Sequence, residues 1–551
     1  MAFDPTSNNR QYRFYFKIEL NSVTLYLSNE HFTLSDGTAV DGRIINAAPL
    51  VRRAGPIQDP RLELPRLSID VDNGEEPDGT RFQDYFDLYS WATRAVTLYI
   101  GYGATAGDYT AIFTGVTQFP AGVEWDDELC TIRMVDNRAA DARTLPAGTY
   151  TTTVYANMEA LYLNTPIPIV YGDWQTTAAN GERVPCVQID STAGTGGKFK
   201  IATHALKSIE KVWLNNADIT ANCTLDAANG EFTITTGTYT SGTDTVEANV
   251  QGATDDGTTS GTLLQTAPDV FDDLLQTYLG VPAANIDSTA LTAWANELTA
   301  NDYVRRVINT ETSSDTLIAE LLTDAFADLD LEDGKYAPRY RVVSVGGGLT
   351  TYRAEDITTD GAGRKAFEVQ QDPEYIFVNE LIAVYNRRAT TGSYAGRYTT
   401  EDSGSITDVG LRQRRQLNLS WLYLQTGAEA RAEKELYTFG AIPEVISVSL
   451  TPAASELTPT DQLRIAYNKY PETATGGAPF QVRDISLDPN TLAVSLTAWS
   501  MVRLLRRQWT GPSANNWATA TATEQEEQGF WTNDDGEADP GDSASVGSIW
   551  Q

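Results

Sequence analysis

Hydrophobic and polar positions alternate at the start of the chain. Tyr12, Phe14, Phe16, Ile18 and Leu20 fall on every second residue, the period of a strand buried on one face. Asn21-Ser22 turns the chain and 23–27 returns, which predicts a hairpin. Similar apolar runs recur at 62–71, 96–100, 109–116 and 129–135, divided by acidic or glycine-bearing turns such as Asp72-Asn73-Gly74. Short strands at this spacing predict a barrel or sandwich.

After residue 266 the period lengthens to that of a helix. Val270, Phe271, Leu274, Leu275, Tyr278 and Leu279 form one apolar stripe, with Thr266 placed to cap it, Pro268 in the first turn and Gly280 to end it. A second helix is predicted after Ser313-Ser314, with Leu317, Ile318, Leu321 and Leu322 on one face. Asp333-Gly334 then leads to a predicted hairpin, 340–345 and 349–353, about Gly346-Gly347-Gly348. From 401 to 504 the pattern reads as β-structure carrying one helix. An alternating strand is predicted at 417–424. A helix follows from Thr426 to Phe439, where Thr426-Gly427-Ala428-Glu429 matches a capping box. Strands near 445–450, 463–467 and 492–498 complete the stretch.

Prolines at Pro146, Pro166 and Pro168 punctuate an extended segment at 145–174. Residues 186–265 are rich in Thr, Gly, Ala and Asp, and short apolar runs at 198–201, 211–214 and 231–235 mark a small all-β module. The predicted fold is mainly β with a small helical insertion and several β-barrel or sandwich domains. Its expected segments are an N-terminal barrel region (1–185), the small module (186–265), a helical region ending in a hairpin (266–345), a C-terminal β-domain with one helix (346–510) and an acidic, flexible tail (511–551).

Length, 551 residues, suits roughly three to four domains. No apolar run approaches the ~18 residues of a membrane-spanning helix, so no membrane insertion is expected. The start, Met1-Ala2-Phe3-Asp4-Pro5, has no basic region before an apolar core, so no signal peptide is expected either. Forty Lys and Arg stand against 74 Asp and Glu, a formal charge of −34, which argues against a nucleic-acid-binding surface. An acidic wall would instead repel phosphates and let DNA pass without sticking. The three cysteines, Cys130, Cys186 and Cys223, give no disulfide framework, which suits synthesis in a reducing cytoplasm, and with two histidines a His-based hydrolytic metal site is not expected.

Candidate chemistry is sparse. Gly101-Tyr102-Gly103-Ala104-Thr105-Ala106-Gly107 is one residue too long for a dinucleotide loop and leads into a strand, so it reads as a hairpin turn. Asp70-Val71-Asp72-Asn73-Gly74-Glu75-Glu76 has its glycine one place early for a helix-flanked calcium loop and reads as an acidic turn. His31 and His204 read as ordinary strand or loop residues. There is no GxSxG elbow and no Cys/His pairing. No catalytic, metal or cofactor residues are expected, and the chain reads as a non-enzyme. Two basic runs stand out in an acidic chain, Arg412-Gln413-Arg414-Arg415 and Arg503-Leu504-Leu505-Arg506-Arg507. Arg412, Arg414, Arg415, Arg503, Arg506 and Arg507 are the expected subunit contacts.

Four passages in order carry a resemblance. Ile112-Phe113-Thr114-Gly115-Val116 precedes an acidic turn, Trp125-Asp126-Asp127, and a strand ending in Val135-Asp136. Pro166-Ile167-Pro168-Ile169-Val170-Tyr171-Gly172 follows, then Val212-Trp213-Leu214-Asn215-Asn216 ahead of Gly230-Glu231-Phe232-Thr233-Ile234. The helical pair and the 401–504 stretch come last. In this order they resemble the tail proteins of long-tailed bacteriophages, most nearly the baseplate hub or tail-tip proteins, over residues 90–500. One departure is Pro459-Thr460-Asp461, where such proteins often show Pro-Gly-Asp. The resemblance implies a ring-forming subunit of the virion tail, a trimer of β-barrels about the tail axis. Its implied partners are a distal tail ring or tube protein above and a central tip or fibre protein below, with DNA passing through unbound. Three alternatives stay open: the distal tail ring itself, a receptor-binding protein using 186–265 on carbohydrate, and a tail-associated cell-wall hydrolase, for which the sequence names no convergent carboxylates.

Overall fold

The computed structural model describes residues 12–53, 65–75, 80–120, 122–136, 138, 141–174, 183–330, 334–341, 349–359, 363–371, 377–440, 444–467, 477–501, 529–530 and 549–550. The alternation at the start builds β1 (Arg13–Glu19), β2 (Thr24–Leu27), β3 (Ile44–Ala47), β4 (Leu50–Arg53), β5 (Arg66–Asp72), β6 (Ala95–Gly101), β7 (Tyr109–Thr117), β8 (Val123–Trp125) and β9 (Leu129–Asp136). All but β4 form one eight-stranded sheet in the order β2-β1-β6-β7-β9-β5-β3, with β8 on β9. The predicted first hairpin is present, with Phe16 opposite Leu27. The sheet curls until its edges nearly meet. There Asp41 N–H donates to Tyr26 O (2.8 Å), Ser28 N–H to Asp41 O (2.7 Å) and Ile44 N–H to Ser28 O (2.8 Å). Inward residues Phe16, Ile18, Ile69, Val96, Leu98 and Ile132 are fully buried.

The small module is a sandwich. Its strands are β10 (Val184–Pro185), β11 (Val187–Asp190), β12 (Gly197–Lys200), β13 (Ser208–Leu214), β14 (Ala217–Asp218), β15 (Cys223–Asp226), β16 (Glu231–Ile234) and β17 (Val246–Gln251). Two four-stranded sheets, β10-β17-β13-β14 and β11-β12-β16-β15, enclose a core in which Phe199 and Phe232 stack at 5.3 Å.

The helical unit holds α1 (Ala267–Asp273), α2 (Ser288–Glu297) and α3 (Ser314–Asp324). Thr266 caps α1 as predicted, and the helix passes into a π-turn, Leu274–Leu279, that ends at Gly280 in the left-handed region (φ 74). Hairpin β18 (Ala327–Asp330) and β19 (Ala337–Tyr340) follows. Most of the hairpin predicted at 340–353, residues 342–348, lies outside the described residues; of its described ends, Tyr340 belongs to β19, which pairs with β18, and β20 (Thr351–Arg353) runs parallel to a strand 113 residues further on, Thr351 opposite Arg464. Periodicity locates strands but does not name their partners.

The rest of the chain supplies β21 (Phe367–Gln371), β22 (Glu380–Arg387), β23 (Tyr394–Glu401), α4 (Ser403–Val409), β24 (Arg414–Asn418), α5 (Gln425–Phe439), β25 (Glu444–Leu450), β26 (Gln462–Ala466), β27 (Ala478–Leu487) and β28 (Val494–Ser500). Residues 346–510, read from sequence as one unit, feed two sheets. Sheet β23-β22-β24 packs under α5 on the helical core, whereas β20-β26-β27-β28-β25-β21 forms a separate sheet. The strand predicted at 417–424 covers only its start, because past Asn418 the backbone takes other partners: Trp421 and Leu422 N–H donate to the Asp324 carboxylate (2.6 and 3.2 Å). The capping box at Thr426 is not made. The first turn of α5 lies so close to Asn301 that a Cβ on Gly427 would stand 2.1 Å from its carbonyl oxygen, and the Thr426 hydroxyl bonds the Asn301 side chain (3.1 Å) instead.

Strand β4 joins the two large sheets. It leaves the first sheet and pairs antiparallel with β27, Leu50 opposite Leu487 and Arg52 opposite Ile485. Asn490 clasps Ala47, accepting from its N–H (3.0 Å) and donating to its carbonyl (2.7 Å). The interiors of both sheets then form one continuous apolar core. Leu50 is buried at this seam, so Leu50→Ala should cost about 2–5 kcal/mol and lower one shared melting transition. Calorimetry that shows the first sheet melting at its original temperature while the second shifts would refute the shared core.

Candidate assembly surfaces

The first basic run is set in place by α4. Asp402 caps this helix through Ser405 N–H (2.9 Å), and Gly410 ends it in the left-handed region (φ 68). Buried Asn379 then holds the next loop. Its side chain accepts from Gln413 N–H (2.7 Å) and donates to Leu411 O (2.7 Å). Arg412 and Arg414 are thereby brought onto Glu380, whose side chain is only 4% exposed, at 3.1 and 2.7 Å. Arg412 also reaches Glu401 (2.5 Å). Strand alternation sends Arg415 to the opposite face, where it meets Glu435 on α5 (3.2 Å). Arg431, one turn before Glu435, takes the other carboxylate oxygen (2.7 Å).

Two environments result. Glu435, Arg431 and Arg415 are largely buried and pair inside the chain, each arginine on one oxygen of Glu435. Arg412 and Arg414 are about half exposed, at 47 and 59% of their side chains, and present cationic edges at the surface of an acidic chain. Arg414 first, then Arg412, holds the Glu380 carboxyl below its usual range. Burial pulls Arg415 down from its usual value. Arg503, Arg506 and Arg507 lie outside the described residues, as does most of the 511–551 tail.

The remaining candidates resolve into structure. The glycine-rich loop turns β6 into β7 through a short 3-10 turn closed by a Thr105/Asp108 capping box. At the acidic turn, Asp72 accepts from Gly74 N–H (2.8 Å), and buried Asn73 donates to Asp126 O (2.6 Å). His204 accepts from Val170 N–H (3.0 Å), and burial lowers its pKa. Among the described residues no three His, Cys, Asp or Glu side chains gather as metal ligands. No helix there is long and apolar enough to cross a membrane.

Two features were not found from sequence. Val154, Leu161 and Leu163 project from the loop between Tyr150 and Pro166, the first two about 70% exposed. Apolar side chains in a proline-flanked, non-periodic segment were the available signal. The second is Asp324, fully buried at the end of α3, where it bridges to Trp421 and Leu422; burial pushes its carboxyl up to about 7.

Neither a family model nor a curated protein sequence matches the chain. Among solved structures it is similar to the 43 kDa tail protein of prophage MuSo2 from Shewanella oneidensis (TM-score 0.40, 9% identity, 89% of this chain and 98% of that one). It is also similar to a tail protein from Neisseria meningitidis MC58 (0.38, 6%, 89% and 96%) and to a chain of the virion of a native gene transfer agent (0.38, 10%, 66% and 91%). These are tail and virion proteins, the class that the sequence resembles.

Two pH effects of opposite sign follow. Glu380 has a lowered pKa, so its contribution is present above about pH 4.5 and is lost as pH falls through its folded value. Glu380→Gln should therefore melt earlier than wild type at neutral pH, and the gap should close in acid. Asp324 has a raised pKa, so between about pH 4 and 7 the folded state holds a proton that the unfolded state releases. Its contribution is fully present at the acid end and declines toward pH 7, by at most about 1.4 kcal/mol per pH unit. Denaturant titrations of Asp324→Asn across this range should show that slope flattened; an unchanged slope would exclude Asp324 as its source.

Proposed function

We propose that the chain is a structural subunit of a phage tail tip, acting as the baseplate hub that joins the tail tube to the tip or fibre proteins. The observation that carries this reading is the seam between the two large sheets, because it joins strands more than four hundred residues apart in the chain into one block with a shared core. A part that transmits receptor engagement along a tail axis needs such a block. Mobile domains on linkers would dissipate the movement. Three copies, each contributing two sheets, would set six β-units about the axis, a number suited to a six-fold distal ring above.

Heterologous contacts of this kind close into a ring when the rotation between neighbours is right. Copies of a chain carrying −34 charges repel one another, and a local cationic edge facing an acidic neighbour offsets that repulsion. Arg412 and Arg414 provide such an edge, and Arg415 holds it from beneath through α5. The same net acidity suits a channel wall past which DNA slides unbound. The work in this reading is mechanical, and no turnover is assigned.

Solution mass and location in the particle test the proposal together. Light scattering should give a trimer, and antibody to the chain should label the tail end in electron micrographs. A species monomeric both in solution and in the virion, or label on the capsid, would contradict it.

A further inference from the structure

The short strand Ile169–Tyr171 is a wall shared by two cores. Val170 packs into the core of the small sandwich, whereas Ile169 and Tyr171 pack into the helical core, as strand alternation requires. On one edge the strand pairs with Arg306–Ile308. On the other edge the small module supplies the partners. Thr203 N–H donates to Pro168 O (2.8 Å), Ala253 N–H to Val170 O (2.8 Å) and Gly252 N–H to Gly172 O (2.9 Å).

One bond in this row ends on a titratable side chain. Val170 N–H donates to Nε2 of the partly buried His204 (3.0 Å), and the other ring nitrogen, Nδ1, lies 2.8 Å from Ala205 O. An amide N–H can only donate and a carbonyl can only accept. The two contacts therefore fix the ring as the neutral tautomer with its proton on Nδ1. A second proton would sit on Nε2 and point at the Val170 N–H. Two donors would then face each other where a bond had been, and the junction would have to part there.

The surroundings do not relieve this. The charged groups that face the ring are Asp273 of α1 and Lys200 of β12. Asp273 favours a protonated ring, but both of its oxygens are engaged, by the hydroxyls of Tyr171 (2.5 Å) and Thr277 (2.7 Å). Lys200 carries the same sign as a protonated ring and is held by Glu231 (3.0 Å). Burial outweighs the pull of the Ala205 carbonyl and of Asp273, so the closed junction keeps His204 below the ordinary histidine value.

We propose that His204 is an acid-operated latch between the small sandwich and the helical unit. With Nε2 bare the latch is shut. Opening at the junction lets the ring take a proton from solvent, and the protonated ring cannot remake the bond to Val170. Acid therefore favours the open form and loosens the sandwich from the helical unit, while the seam of β4 with β27, which contains no histidine, stays closed. The sign is that of a histidine with a lowered pKa. Protection is fully present above about pH 6.5 and is lost as pH falls toward the folded value. The latch operates whether or not the chain is a hub.

Hydrogen exchange of the full chain from about pH 7.5 to about pH 5, corrected for the intrinsic rate, tests it. The opening constant read at the Val170, Thr203 and Ala253 amides should rise by up to about tenfold for each pH unit below about 6.5. The central amides of β6 and β9 should not follow that slope. His204→Gln can still accept from Val170 N–H but does not titrate, and it should flatten the rise. A second measurement needs no variant: nitrogen-15 labelling of the two histidines, with surface-exposed His31 as the reference signal. His204 should stay neutral, with its proton on Nδ1, for as long as the Val170 amide is protected. A wild-type chain without the slope, the same slope in His204→Gln or in β6 and β9, or a protonated His204 beside a protected Val170 amide would each overturn the latch.

Discussion

The pairing of β4 with β27 is the contact on which the architecture depends. It joins Leu50 to Leu487 across more than four hundred residues of sequence. The entropic cost of closing a loop grows slowly with its length, about 0.6 kcal/mol for each doubling. A contact this remote is therefore only slightly more costly to close than a much nearer one. The apolar core shared by the two sheets offsets that cost, and Asn490 and Arg52 add polar stitches along the seam. The small sandwich and the helical unit are thereby held between two large sheets that are fixed to each other.

Polar side chains lock the helical unit to this block. Buried Arg138 pairs with Asp136 at the end of β9 and donates to Lys335 O (2.9 Å), while Tyr336 donates to Asp141 (3.0 Å). On the other side Arg339 bridges Asp330 and Asp461. Each interface thus relies on a buried or half-buried ion pair, a kind of contact that is costly to break once formed because it would leave a charge without its partner. Among the described residues these bridges help explain why an acidic chain still uses its few arginines internally.

Much of this was legible in the sequence, and the failures share a cause. Strands β1, β5, β6, β7 and β9 and helices α1 and α3 were readable because each buries one periodic face. Helix α2 was missed because its apolar residues are few, Leu291 and Trp294 among alanines and threonines. The end of the strand predicted at 417–424 and the cap at Thr426 were misread because Asp324 and Asn301, each more than ninety residues away, take the backbone or hydroxyl groups that a local reading assigns to neighbours. The pairing of β20 with β26 was likewise a tertiary choice. For the arginine run, its basic character was legible, but its division between a buried triad and an exposed edge depended on strand alternation at Arg414 and Arg415 together with the placement of α5.

Native-state hydrogen exchange most directly tests whether the two large sheets are one unit. If the seam welds them, the central amides of β6 and β9 and those of β27 and β28 should open with the same free energy and the same denaturant dependence, as one cooperative body. Two separate opening energies, with β27 and β28 exchanging while β6 and β9 remain protected, would show that the sheets fold and move independently, and the account of a single stiff block would fail.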